Sequence, residues 1–391
     1  MNGAVVRRFL GIIVAALAFS TSAVAQSSDQ PFSKWFKYNS TAAAKWQFTG
    51  DPADPLRVEV RRKDGPQGKR QKILVLYPRP SSAYDIEMSE ILRVLEIKEH
   101  NPDILVINFE LKDAAGQAAI KLAEANKYDL ILSMGSESTE WLFKNYKGGT
   151  IPVVTICSKD PVQLGQMKDY GSSKNNFAFT SLNVLVDVQY SYLKELKPNV
   201  KNIAILVDSK NKSAIETQGM PIVELAKKNN VTTHWVAVEN PAESKAELAK
   251  LIPDAVEAMR KNDPDLSNSV FWITGSTAVF REIRTINEFA GKVPVLSVVP
   301  EIVTKGDDTA ALAIGISFKS NAQLAAVYAD QILRGVAKAG DLKVGIVSPP
   351  DIAISFRKTH EIGMRVPFDF FENATFIYDY EGVAVRFIKD E

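Results

Sequence analysis

The sequence predicts an α/β protein built from two doubly wound, parallel-sheet lobes, each a three-layer αβα sandwich, that face one another. Three observations lead to this fold class. A chain of 391 residues exceeds the roughly 250–300 residues at which a single core stops growing. Short apolar runs alternate with stretches of helical period, first over residues 72–156 and again over residues 203–316. The runs show no inside–outside alternation, which is typical of parallel strands buried on both faces.

The first 25 residues have the three-part pattern of a cleavable signal peptide. Arg7 and Arg8 precede an apolar run over residues 9–19, and Ser22-Ala23-Val24-Ala25 ends in the small-x-small pattern of a cleavage site. The run is shorter than the ~20 residues that span a bilayer, and no cysteine follows it directly. We therefore expect export to the periplasm, with a mature chain that begins at Gln26 and carries no lipid anchor.

Composition narrows the function further. The sequence has 47 basic and 46 acidic residues, and loss of Arg7 and Arg8 leaves 45 basic residues and a net charge of −1. A near-neutral chain has no field that would attract nucleic acid or an anionic membrane. The single cysteine, Cys157, excludes an internal disulfide, and we expect a buried structural thiol because no base neighbours it. We expect a soluble monomer that does not span a membrane.

The elements of both blocks follow from the spacing of the apolar residues. In the first block Lys72–Tyr77 is a strand, and the helical repeat after it contains Met88, Ile91, Leu92 and Leu95. The other elements expected there cover residues 104–109, 115–126, 130–134, 137–146 and 153–156. In the second block we expect helices over residues 184–196, 214–228, 242–261 and 278–289, and strands over residues 203–207, 232–238, 270–273, 295–299 and 310–316. A closing helix over residues 321–333 follows.

This order of elements predicts the domain boundaries. Residues 26–71 are polar and weakly periodic, and we expect an N-terminal arm on the surface with one strand near residues 56–61. Lobe 1 should comprise residues 72–180 together with about 318–355, and lobe 2 residues 181–317. Residues 356–391 should form a C-terminal segment with a β-hairpin between residues 376–378 and 383–388.

The candidate ligand-binding residues stand directly after the predicted strands. Hydroxyl residues and glycines occur where helices begin, and a helix N-terminus of this kind binds carboxylate or phosphate through its free N–H groups. Ligands of doubly wound sheets bind beyond the carboxyl ends of the strands, so two facing lobes predict a cleft between them. The candidates are Ser81, Ser82, Tyr84, Ser136, Ser138, Thr139, Asp160, Asn211, Ser276, Thr277 and Glu301.

Each hydroxyl candidate has an alternative role, because Ser and Thr at helix starts are ordinary N-caps. Both roles can coexist at one residue. Glu137, which begins its predicted helix, is more typical of a charge placed against the helix dipole than of a ligand contact. Tyr84 is the best aromatic candidate because it lies in a polar loop. On this reasoning, joint replacement of Ser138 and Thr139 by Ala should weaken ligand binding at least about tenfold.

The sequence contains no catalytic motif. It lacks a G-x-x-x-x-G-K-[ST] loop, a G-x-G-x-x-G turn after the first strand, a G-x-S-x-G elbow and an H-E-x-x-H pair. His100, His234 and His360 are far apart, and none has a second metal-type ligand at useful spacing. We therefore expect a binding protein rather than an enzyme, with no cofactor and no metal site.

Two segments carry a resemblance to a known family. Ile151-Pro152-Val153-Val154 is followed by Lys159-Asp160-Pro161-Val162, and the pair resembles the "IPVV…TDPV" segment of ABC-type periplasmic binding proteins of the tryptophan/tyrosine-binding type. The similarity covers roughly residues 72–367, with further matches at residues 193–201, 203–208, 331–335 and 362–367.

The resemblance implies a Venus-flytrap arrangement, the type I periplasmic binding protein fold, with hinge strands between the lobes. It also implies a ligand in the cleft and delivery of that ligand to an ABC transporter permease. The contacts that it implies fall at Ser81, Ser82, Ser138, Thr139, Asp160, Asn211, Ser276, Thr277 and Glu301.

Together these observations predict the solute-binding component of an ABC-type importer. A cleft lined by hydroxyls and helix amides favours a small polar or zwitterionic ligand, with amino acids among the candidates. A sensory clamp that reports its ligand to a membrane receptor kinase would have the same fold and cleft, and it remains the alternative. An exported hydrolase would require a nucleophile–base pair, which the sequence does not offer.

Overall fold

The first lobe is built around a seven-stranded mixed sheet. The computed structural model describes residues 30–304, 306 and 308–386, so the predicted signal peptide lies outside the described residues. The strands of this sheet are β1 (Trp46–Asp51), β2 (Asp54–Arg62), β3 (Lys72–Tyr77), β4 (Asp103–Asn108), β5 (Leu130–Met134), β6 (Val153–Ile156) and β7 (Phe177–Ala178). Their order is β1-β2-β4-β3-β5-β6-β7. The sheet is parallel from β4 to β7 and antiparallel at the β1–β2–β4 edge.

Helices cover both faces of the first sheet. They are α1 (Ser40–Lys45), α2 (Ser82–Ile97), α3 (Asp113–Ala125) and α4 (Gly135–Tyr146). Successive residues of β3 point to opposite faces. Val75 belongs to the buried cluster that contains Met88 and Leu92 of α2, whereas Leu74 belongs to the cluster that contains Ile120 of α3. Burial on both faces explains why the strand sequences show no alternation and confirms the three-layer prediction.

The second lobe has an eight-stranded mixed sheet. Its strands are β9 (Asn202–Asp208), β10 (Thr232–Val238), β11 (Ser269–Ile273), β12 (Val295–Ser297), β13 (Leu312–Gly315), β15 (Asp351–Ser355), β16 (Phe376–Tyr378) and β17 (Ala384–Arg386). Their order is β10-β9-β11-β12-β13-β15-β16-β17. Strands β10 to β13 are parallel, and the β13–β15 and β16–β17 pairs are antiparallel. The remaining two strands of the described residues, β8 (Thr180–Ser181) and β14 (Gly345–Ile346), lie between the lobes.

The helices of the second lobe lie close to the predicted ranges, with two local irregularities. They are α5 (Val186–Leu196), α6 (Lys212–Ala214), α7 (Met220–Lys228), α8 (Ser244–Arg260), α9 (Thr277–Phe280) and α10 (Ile283–Ala290). Residues 212–228 are helical throughout, as expected for residues 214–228, but contain a π-helical turn at Ile215–Gly219. The helix expected over residues 278–289 is divided into α9 and α10. Apolar spacing reports the buried face of a helix but does not reveal such local breaks.

The N-terminal arm expected over residues 26–71 is an integral part of the first lobe where the structure describes it. Its β1–β2 hairpin pairs with the edge strand β4. Phe32, Trp35, Phe36 and Trp46 are buried, and the Phe36 ring lies 5.8 Å from the ring of Tyr77. The prediction of a surface arm was wrong because the polar average of the segment conceals these aromatic side chains, each of which contributes roughly 1.5–3 kcal/mol when buried.

The C-terminal region also differs from the predicted boundaries. Helix α11 (Phe318–Leu333) packs on α2 of the first lobe, but β15 joins the second sheet between β13 and β16. The predicted hairpin forms from β16 and β17, preceded by α12 (Phe356–Glu361) and α13 (Phe368–Asn373), and extends the same sheet. The residues assigned to lobe 1 up to 355 therefore include one strand of the second lobe, and residues 387–388 of the hairpin lie outside the described part.

Three crossing segments join the lobes. The first contains β8 (Thr180–Ser181), the second is residues 316–317, and the third begins at β14 (Gly345–Ile346). Strands β8 and β14 pair in parallel to form a two-stranded sheet. Asn321 of α11 accepts a hydrogen bond from Cys157 N (2.9 Å) and donates one to Ser181 O (3.2 Å). Ser317 N donates to Asp351 Oδ2 (2.8 Å), so the second and third segments are also bonded.

Candidate ligand-binding site

A small cavity lies between the lobes, at the carboxyl ends of their strands. Its volume is about 40 Å³, whereas ligand sites usually enclose roughly 300–1,000 Å³. A ligand of amino-acid size therefore enters only when the lobes separate or the lining side chains move. The lining residues are Arg79, Ser81, Ala83, Tyr84, Ser136, Glu137, Cys157 and Lys159 of the first lobe, Leu182 and Phe318 near the crossing segments, and Asn211, Ser213, Gly275, Thr277, Phe280 and Val299 of the second lobe.

One wall of the cavity is a charged network around Tyr84. Arg79 Nε donates to Glu137 Oε1 (2.9 Å), and the Tyr84 hydroxyl donates to Glu137 Oε2 (3.2 Å). The Arg79 guanidinium lies 5.7 Å from the centre of the Tyr84 ring, a cation–π arrangement. Gly135 is the first residue of α4 and has a φ of +83°, and a Cβ atom on it would lie 2.2 Å from the Tyr84 hydroxyl. Only glycine satisfies both constraints without displacing Tyr84.

The floor of the cavity carries buried ionisable groups. Lys159 is 6% exposed and Glu87, just beneath the lining, is fully buried. Burial lowers the pKa of Lys159 to about 8 and raises the pKa of Glu87 well above its usual range. Burial also raises the pKa of Glu301 to about 8 and that of the Cys157 thiol. The Glu301 carboxyl is consequently largely protonated at neutral pH, and Cys157 is a neutral thiol, not a nucleophile.

A second cavity opens outside the first. It encloses about 300 Å³ and is lined by Ser136, Glu137, Glu140, Leu164 and Gln166 of the first lobe and by Lys210, Asn211, Lys212, Ser213 and Glu216 of the second. Ser136, Glu137, Asn211 and Ser213 line both cavities. The two cavities therefore adjoin one another at the boundary between the lobes.

Five of the eleven candidate residues line the inner cavity. They are Ser81, Tyr84, Ser136, Asn211 and Thr277. The structure thus brings together candidates from four different helix starts, as expected for facing sheets. Asn211 is also an N-cap, because its side chain accepts from Ala214 N (3.2 Å). The ligand role of all five remains a prediction.

Six candidates do not line it. Ser82 is exposed outside the cavity. Ser138 and Thr139 lie behind the wall, where both hydrogen-bond the hydroxyl of Ser133 at 3.2 and 3.0 Å. Asp160 is 1% exposed, and its carboxylate accepts from Val162 N and from the Tyr170 hydroxyl.

The other two of these six lie in the second lobe. Ser276 bonds to Thr274 at 3.2 Å. Glu301 accepts from Phe318 N at 2.5 Å, and its second oxygen is buried without a partner among the described residues. These contacts give both residues a structural role beside the cavity.

The sequence prediction did not single out several lining residues. Lys159 and Gly275 stand next to the candidates Asp160 and Ser276, so the same loops line the cavity through neighbouring residues. Phe280 and Phe318 were not among the candidates. Arg79 lies in the polar loop after β3, and its position before the helix start was the available signal.

The fold and this cavity define a class: two α/β lobes joined by three crossing segments, with a cleft at the carboxyl ends of the strands, are a ligand-binding clamp. The family model described as "ABC transporter substrate binding protein" matches residues 88–375. The chain therefore belongs to the ABC transporter substrate-binding protein family. Members of this family bind substrates and are not enzymes.

Individual relatives agree with this family. A "tyrosine-binding protein" of Clostridioides difficile (strain R20291) is 22% identical over 304 residues, which are 76% of this chain and 81% of that protein. The ABC domain of Streptococcus pneumonia solved in complex with L-Trp is similar in fold, with a TM-score of 0.60, 19% identity, and coverage of 78% of this chain and 100% of that chain.

A second solved structure is the ligand-free, open form of a substrate-binding protein with adhesive properties from Clostridium difficile. It has a TM-score of 0.57 and 21% identity, and covers 82% of this chain and 100% of that chain. At these identities the likeness to solved structures shows the fold. No helix within residues 30–304, 306 and 308–386 has the length and apolar character needed to cross a bilayer.

Proposed function

We propose that this protein is the substrate-binding component of an ABC-type importer, that it binds an amino acid in the interlobe cavity, and that it delivers the amino acid to a membrane permease. The observation that carries the proposal is a cavity whose walls come from both lobes. A ligand held by both walls stabilises the closed form, and only that form presents one continuous surface to a permease.

The charges around the cavity support a zwitterionic ligand. Glu137 can accept from an ammonium group, while Arg79 and Lys159 can donate to a carboxylate. Tyr84, Phe280 and Phe318 add aromatic surface to the same lining. The names of two similar proteins, one tyrosine-binding and one solved with L-Trp, point to the same class of ligand.

The pattern of residues 1–25 supports export to the periplasm. Fusion of residues 1–30 to a reporter protein should carry the reporter across the inner membrane. Retention of the reporter in the cytoplasm would contradict the export proposal and leave the ligand proposal in place.

The binding proposal is tested by thermal denaturation with a panel of amino acids and neutral sugars, followed by calorimetry on every compound that raises Tm. We expect stabilisation by at least one amino acid and a smaller radius of gyration in small-angle X-ray scattering when it is added. The importer proposal predicts that cells lacking this protein lose uptake of the same compound. Stabilisation without any change in uptake would contradict the importer role.

A further inference from the structure

Lys159 differs from every other charged residue of the cavity because its ammonium group has no partner. The side chain is 94% buried, with 6% exposure, and it lines the inner cavity. A Cβ atom on Gly275 would lie 2.3 Å from Lys159 Nζ, so the ammonium reaches across the cleft to the second lobe. Within the described part of the chain, Lys159 Nζ forms neither a hydrogen bond nor an ion pair, whereas Arg79 is paired with Glu137.

The groups around Lys159 do not neutralise it. Those that face it are Arg79, Glu87, Glu137 and Cys157, with Glu301 adjacent to Glu87 and Cys157. Glu137 is already bonded to Arg79 and Tyr84. Burial raises the pKa of Glu301 to about 8, so this carboxyl is largely protonated at neutral pH, and burial also raises the pKa of Glu87 well above its usual range. A buried cation without an anion is unfavourable, so the cavity has an unmatched positive charge at its floor.

We propose that Lys159 is the receptor for a carboxylate of the ligand, which makes small carboxylic acids, amino acids included, the ligand class of this cavity. The proposal rests on the function proposed above and deepens it. Helix α4 adds to the site, because Ser136 and Glu137 in its first turn line the cavity and the N-terminal end of a helix favours negative charge. Gly275 is the second-lobe residue that leaves room for the ammonium group.

The test compares matched pairs of compounds that differ in the carboxylate. L-Tyrosine is paired with tyramine and L-tryptophan with tryptamine, within a panel that also contains the other amino acids and neutral sugars. We expect one or more carboxylates to raise Tm and their decarboxylated partners to fail. If only sugars or amines stabilise the protein, the carboxylate assignment and the amino-acid ligand are both wrong, while the role as a substrate-binding protein stands. If no compound stabilises it, both are contradicted.

Lys159→Met should weaken the affinity for the best carboxylate at least about tenfold, because a charge-assisted bond to the ligand is lost. Lys168→Met is the matched control, because Lys168 is an exposed lysine in the same loop region, outside both cavities. The carboxylate affinity of this variant should stay within about twofold of the wild-type value. Without ligand, Lys159→Met should have an unchanged or higher Tm, because the buried charge is removed. Unchanged affinity in Lys159→Met would overturn the proposal.

Gly275→Ala provides an independent measurement. The new methyl group collides with Lys159 Nζ, so it should weaken carboxylate binding in the wild-type background and have much less effect in Lys159→Met. Equal losses in both backgrounds would show that Gly275 acts through the backbone or through Gln218, which accepts from Gly275 N at 2.7 Å, and would contradict the proposed contact.

Discussion

The first-lobe residues that line the inner cavity, including Lys159 at its floor, form a first wall, and the second-lobe residues form a second wall. The two walls differ in charge. Arg79, Glu137 and Lys159 all belong to the first lobe, whereas the six second-lobe residues at the cavity are uncharged. Charge-assisted hydrogen bonds are roughly twice as strong as neutral ones. The comparison indicates that the first lobe determines which charges a ligand carries, while the second lobe covers the bound ligand. Substitutions in the two walls should therefore have effects of different size.

The largest effect expected in the first wall, beside that of Lys159, is at Glu137. Glu137→Gln removes the anion that holds Arg79 and the Tyr84 hydroxyl, and affinity for the amino acid that stabilises the protein best should fall about tenfold or more. Calorimetry measures this loss. Glu195→Gln, at an exposed position of α5, is the matched control, and equal affinities of the two variants would show that the charge of Glu137 does not contribute to binding.

The pH dependence of binding should also come from the first wall. The pKa of Lys159 is lowered to about 8, so the free protein loses this charge as pH rises above about 8, and carboxylate affinity should then fall by up to about tenfold per pH unit. Glu301, with its pKa raised to about 8, becomes anionic over the same range and acts in the same direction. Lys159→Met isolates the contribution of Lys159, because the slope due to Glu301 remains in that variant. Identical slopes in both proteins would contradict a role for Lys159.

A smaller effect is expected in the second wall. Thr277→Ala removes one neutral hydroxyl from the lining, and affinity should fall about two- to tenfold, the range of a single neutral hydrogen bond. Thr277→Ser keeps the hydroxyl and should bind almost as the wild type. A loss as large as that of Glu137→Gln would show that the second wall contributes equally.

The smallest effect on binding is expected behind the wall. The sequence predicts that the double replacement of Ser138 and Thr139 by Ala weakens binding at least about tenfold. The structure predicts instead an affinity within about twofold of the wild type, because both side chains bond Ser133 away from the cavity. Stability should fall by about 1–3 kcal/mol, since the buried Ser133 hydroxyl loses both partners. Urea denaturation separates this loss from binding, and a tenfold loss of affinity at unchanged stability would restore the sequence-based expectation.

The fold class could be predicted from the sequence because apolar runs and helical spacing reflect burial directly. The loops that form the site could also be predicted, since the ends of parallel strands meet at one edge of each sheet. The direction in which a side chain points within a loop could not be predicted. Asp160 folds back onto Val162 N and Tyr170, while its neighbour Lys159 points into the cavity.

The burial of the N-terminal arm could not be predicted for a different reason. Its average polarity is that of a surface segment, but a few aromatic residues such as Trp35 and Phe36 outweigh many charged ones once they meet Tyr77. Composition averages these residues, whereas the free energy of folding depends on each one separately. The pairing of β15 with β13 likewise joins residues far apart in the sequence, so local sequence patterns do not predict it.

The β1–β2 hairpin lies outside the residues that match the family model, yet it has a consequence for how the chain behaves in solution. Without it, β4 would be a bare sheet margin, with a row of unpaired amide and carbonyl groups and an apolar patch beside it. Such margins recruit other strands and promote self-association. A shortened protein that starts near residue 72 should therefore tend to aggregate, even though every residue of the cavity is retained.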